Sequence, residues 1–95
     1  MKLKDHESES LNLFGKPFTE IHKWLDEYAG SEQYGMRHRK IRHHRSGINE
    51  AIRIFGNDAK SPATQHIISD LKEEGWTEND HFPENEEDYI IMGLW

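Results

Sequence analysis

The stretch from Tyr34 to Phe55 sets the tightest limits on what this 95-residue chain can become. At 100° per residue, Tyr34, Ile41, Ile48, Ile52 and Phe55 fall within about 60° of one another, as in an amphipathic helix of about five or six turns. Inside it lie Arg37-His38-Arg39-Lys40-Ile41-Arg42-His43-His44-Arg45. On the same projection Arg37, His38, His44 and Arg45 share the apolar half. Arg39 and His43 point nearly opposite, with Lys40 and Arg42 on the flanks. Imidazoles and guanidiniums turned toward a core need partners, because unpaired buried charge is costly. Carboxylates, other histidines, a metal ion or a bound anion would serve. Gly47, mid-helix on a flank, costs up to about 1 kcal/mol relative to Ala, which implies close approach of another helix.

Cysteine is absent, so disulfides and thiolate metal sites are excluded, and the chain suits a reducing compartment. No apolar run is long enough to span a bilayer. The N-terminus lacks the apolar core of a signal peptide, so the expected location is the cytoplasm. At 34% hydrophobic residues the core is thin, and a partner subunit or bound ion would help it. The net charge of −6 is unevenly spread: residues 37–45 hold five Lys/Arg and no acid, whereas residues 73–88 hold eight acids and no Lys/Arg. Seven histidines, dispersed along the chain, point to metal, proton chemistry or pH sensing.

Before the organising helix, residues 1–14 read as a short helix with Leu3, Leu11 and Phe14 on one face and a solvated His6. Gly15-Lys16-Pro17 breaks it. Thr19 as N-cap and Gly30 as C′ residue frame a second helix, whose stripe is Phe18, Ile21, Leu25 and Tyr28. His22 and Asp26 stand one turn apart beside that stripe, able to share a metal or to orient an imidazole. A surface ion pair is the plainer alternative. After Gly56 and a turn, Ser61-Pro62 starts a further helix that ends at Gly75. His66 and Asp70 repeat the His-x-x-x-Asp spacing, but their projection away from Ile68 points them toward solvent. Residues 76–87 are polar and irregular, and Tyr89 to Trp95 form an apolar end that must pack on the domain or on a second chain. The expected fold is all-α: one domain over residues 1–95, with four helices, one long central helix and short loops.

Three stretches carry a family resemblance: Ile21-His22-Lys23-Trp24-Leu25-Asp26, Arg37-His38-Arg39 with Arg42-His43-His44 and Gly47, and Gln65-His66-Ile67-Ile68-Ser69-Asp70-Leu71. In this order, over roughly residues 6–75, the chain resembles small bacterial and phage proteins of the DUF6915 type, a domain of unknown function. The resemblance implies that His22, Asp26, His38, His44, His66 and Asp70 are the first candidate site positions, and it implies no activity. The connection at 57–61 is shorter here and the acidic tail longer.

Neutral imidazoles with carboxylates suit Zn²⁺, Fe²⁺, Mn²⁺ or Ni²⁺, and no organic cofactor is indicated. Arg37, Arg42 and Arg45 are the candidate clamps for a phosphate or other anion. An enzyme of this kind would be a metal-dependent phosphohydrolase, although the histidine–aspartate dipeptide usual in such enzymes is missing. A non-enzymatic accessory protein is the alternative, binding a host protein or a second copy through its apolar end. Nucleic acid or nucleotide binding through the basic helix is disfavoured, because the acidic tail can fold back on that face.

Overall fold

A computed structural model describes residues 1–29 and 37–94. The roles expected of Gly30, Tyr34 and Trp95 lie outside the described residues. What is described is all-α, with no strand. The helices are α1 (Leu3–Phe14), α2 (Thr19–Leu25), α3 (Arg39–Arg42), α4 (Arg45–Phe55), α5 (Lys60–Glu73) and α6 (Glu86–Ile91), and a 3₁₀ turn at Asn57–Ala59 leads into α5.

The expected long helix is broken. His43 ends α3 with ψ 59°, and His44 is extended at φ −159°, ψ 177°. His44 then caps α4, its Nδ1 accepting the Gly47 N–H at 3.1 Å, which satisfies a donor that a helix start otherwise leaves orphaned. The same break explains Gly47. A Cβ there would lie 1.8 Å from the Arg42 carbonyl oxygen, so the close approach is by the preceding turn of chain and not by another helix.

The central helix is α5, which packs against α1, α2 and α4. Enclosed on several sides, it buries Ala63, Ile67 and Leu71 completely. Ile21 and Leu25 of α2, Ile48 and Ala51 of α4, and Trp76, Tyr89 and Leu94 complete the core.

Three further expectations change. First, α1 turns Leu11 and Leu13 outward and buries His6 and Ser10. Second, α2 starts after Phe18, which is left-handed at φ 50°, and stops at Leu25. Third, the 76–87 segment is anchored: Trp76 is buried and its Nε1 donates to the His81 carbonyl at 2.9 Å. Asn85 caps α6 by accepting the Asp88 N–H at 2.8 Å. Of the apolar end, Tyr89 and Leu94 are buried, but Ile91 is 74% exposed. No described helix is long and apolar enough to cross a membrane.

Candidate metal centre

Three helices each turn a polar i, i+4 pair toward one interior point. They are His6 and Ser10 from α1, His22 and Asp26 from α2 and its C-cap, and His66 and Asp70 from α5. On a helix this spacing puts both side chains on one face. His38 and His43, at the two ends of α3, complete the ring. His6, His43 and His66 are wholly buried, and His22 and Asp70 are 1% exposed.

The donors are spaced as ligands are. Asp70 Oδ2 lies 2.9 Å from His43 Nε2 and 3.3 Å from His66 Nε2, and Asp70 Oδ1 lies 3.3 Å from His6 Nε2. Asp26 Oδ1 is 3.4 Å from His66 Nε2, 3.4 Å from His43 Nε2 and 3.2 Å from His38 Nε2. Bonds of about 2.0–2.2 Å to an ion require neighbouring donors about 2.8–3.6 Å apart, from octahedral to tetrahedral geometry. His6, Asp26, His66 and Asp70 can each offer one donor atom, all within 4.8 Å of one another, and His6, His22 and His66 form an overlapping trio.

His6 shows the strongest signature. Its ring stacks on His66 with centroids 3.6 Å apart, and neither ring nitrogen makes a hydrogen bond although both are buried. A buried polar atom without a hydrogen bond costs about 1–3 kcal/mol; Nε2 has only the Asp70 carboxylate at 3.3 Å, and an ion would satisfy one of the two nitrogens.

Electrostatics follow from the dry surroundings. Burial pushes the Asp26 carboxyl up, but hydrogen bonds from His38, His43 and His66 outweigh this and hold it well below the usual range. Asp70 behaves alike: burial raises it, and the His43, His6 and His66 rings pull it far down. Burial lowers His66, and the two carboxylates more than reverse the effect, so its pKa is raised. His22 falls to about 4, through burial first and then the neighbouring His66 and His6.

Of the residues expected at the site, His22, Asp26, His38, His66 and Asp70 do meet here. The solvent-facing position expected of His66 and Asp70 is corrected, since α5 is enclosed on that side too. His44 stands apart: its Nδ1 caps α4 and its Nε2 reaches the Lys40 carbonyl at 3.1 Å. His6 and His43, expected in solvent, belong to the cluster. For His43 the helical phase is lost at the break. For His6 the readable signal was its i+4 partner Ser10, the spacing already noted in His22 and Asp26.

The arginines divide differently from expectation. Arg39, expected to point outward, lies 3.4 Å from Asp70 Oδ1 and also pairs with Glu73 and Glu74. Arg42 lies over the Trp24 ring at 4.0 Å and donates to the Trp24 carbonyl and to Glu27. Arg45 pairs with Glu84 at 3.1 Å. Arg37 also has an interaction partner. The acidic tail thus folds back onto the basic segment, with the Pro83 and Glu84 carbonyls accepting from the Arg45 and Ser46 N–H groups. A cavity of about 360 Å³ opens beside the cluster, lined among others by Lys2, Asp26, His38, Arg39 and Asp70.

A family model described as "Domain of unknown function (DUF6915)" matches residues 1–91, a longer span than the three motifs imply. No curated protein matches the chain, and no solved structure does.

Proposed function

The chain belongs to the DUF6915 family, and we propose that it is a metal-binding protein whose ion is held by His6, Asp26, His66 and Asp70. The observation that carries this reading is His6: a fully buried imidazole, without a hydrogen bond at either nitrogen, 3.3 Å from a buried carboxylate. Two imidazoles and two carboxylates balance a divalent charge and suit Zn²⁺, Mn²⁺, Fe²⁺ or Ni²⁺. His38 and His43 hold the carboxylates in place from outside that set. Elemental analysis of protein purified without an affinity histidine tag tests the reading. About one equivalent of a transition metal is expected, lost in His6→Ala and Asp70→Asn. Metal-free protein that takes up none of these ions in titration would overturn it.

The cavity beside Asp26 and Asp70 gives small ligands a path to such an ion. Arg39 stands at the same mouth, so a phosphate-bearing ligand is the class we assign, and metal-assisted phosphate ester hydrolysis the matching activity. Arg39 here takes the position expected of Arg37, Arg42 and Arg45. Turnover of a generic phosphomonoester by metal-loaded protein, lost in Asp26→Asn, is the check. No turnover with a full complement of metal would confine the function to binding.

A further inference from the structure

His22 belongs to the overlapping trio but is poorly placed as a ligand. Its Nδ1 lies 2.8 Å from His66 Nδ1, a hydrogen-bond distance. Two imidazoles on one tetrahedral ion stand about 3.3 Å apart. The trio also has no carboxylate to offset a divalent charge in a dry interior. His22 Nε2, meanwhile, is 2.6 Å from Ser10 Oγ.

Resting on the metal reading above, we propose that His22 is a positioning residue: it fixes the His66 tautomer that turns the Nε2 lone pair to the ion. The protons can be placed one by one. One proton occupies the gap between the two Nδ1 atoms. If it sat on His22, a neutral His66 would carry its proton on Nε2, against Asp26 and Asp70, and could not bind a metal there. With Nε2 on the ion, His66 carries its proton on Nδ1 and donates to His22 Nδ1. His22 then keeps its own proton on Nε2 and donates to Ser10 Oγ. Every buried nitrogen in the chain Ser10–His22–His66 has one role, and only one assignment satisfies all of them. This is the outer hydrogen bond that ligating histidines use to hold their orientation, built here from a second imidazole and a serine on another helix.

The test is nuclear magnetic resonance of the full chain loaded with ¹¹³Cd²⁺ and labelled with ¹⁵N-histidine. Cadmium–nitrogen coupling is expected at His6 and His66 and absent at His22, with His66 in the Nδ1–H form and His22 in the Nε2–H form. Affinities give a second readout. His22→Asn places an amide oxygen where Nδ1 was and should bind metal nearly as wild type. His22→Leu should weaken binding about 10–100-fold, and Ser10→Ala by less. Coupling to His22, or equal losses in His22→Asn and His22→Leu, would overturn the positioning role and leave the metal site standing. Absence of bound cadmium would remove both. If His22→Leu does not fold, the tautomers in the unsubstituted chain still decide.

Discussion

His43 Nε2 lies 2.9 Å from Asp70 Oδ2, with both side chains sealed from solvent. The contact exists because the helix stops at His43. Had it continued, His43 and His44 would point about 100° apart; instead both are buried, one on Asp70 and one capping α4. Removing His43 therefore leaves a buried carboxylate short of a donor. We expect His43→Ala to cost about 1.5–3 kcal/mol and to weaken metal binding, whereas His44→Ala should cost about 1 kcal/mol as a lost cap and leave metal affinity intact. Thermal melts and metal titrations of the two variants separate them. Equal effects on metal affinity would contradict the division of roles.

How far the sequence could show this site is visible in α1 and α5. The His22/Asp26 and His66/Asp70 pairs were legible because i, i+4 spacing survives any choice of face. Their direction was not, because a helical projection assumes that the buried face is the apolar one. In α1 the buried face is His6 and Ser10 while Leu11 is 53% exposed. In α5, Asp70 is buried along with Ala63 and Ile67, since neighbours enclose the helix on several sides. The all-α fold needed only periodicity. Finding the break at His43 needed the Arg42–Gly47 contact, which has no periodic signature.

That contact gives a test of opposite sign to helix propensity. Ala is the better helix former by about 1 kcal/mol, so an open helical glycine replaced by Ala should stabilise. At Gly47 the new Cβ would meet the Arg42 carbonyl, and we expect Gly47→Ala to lower the melting temperature by several degrees or more. A raised melting temperature would mean that α3 and α4 can merge.

Arg42 is held by a stacked indole, a carbonyl and Glu27, and these contacts leave it packing work and no ligand. Arg42→Ala should destabilise by about 1–3 kcal/mol through the lost stacking and charge-assisted bonds. Phosphate affinity of the metal-loaded protein should not change, whereas Arg39→Ala should weaken it. Isothermal titration with inorganic phosphate distinguishes the two.

The last expectation concerns pH, where the cluster's groups act with different signs. His22 has a pKa of about 4 in the fold against an ordinary 6.5. Between those values the unfolded chain takes up a proton that the folded one refuses, so metal-free protein loses stability as pH falls from 6.5 to 4, by about 3 kcal/mol at most. His44, lowered by burial despite its carbonyl contacts, adds to the same limb. The depressed Asp26 and Asp70 act further down: their contribution is present above 3.8 and is lost below it. His66 runs the other way. Its raised pKa gives a contribution complete below 6.5 that is lost as pH climbs through the folded value. Metal binding needs His66 unprotonated, so the gap in melting temperature between metal-loaded and metal-free protein should widen with rising pH. Melts from pH 4 to 9, with and without Zn²⁺, measure both limbs. His22→Asn should flatten the acid limb, and a constant gap across the range would mean that His66 does not hold the ion.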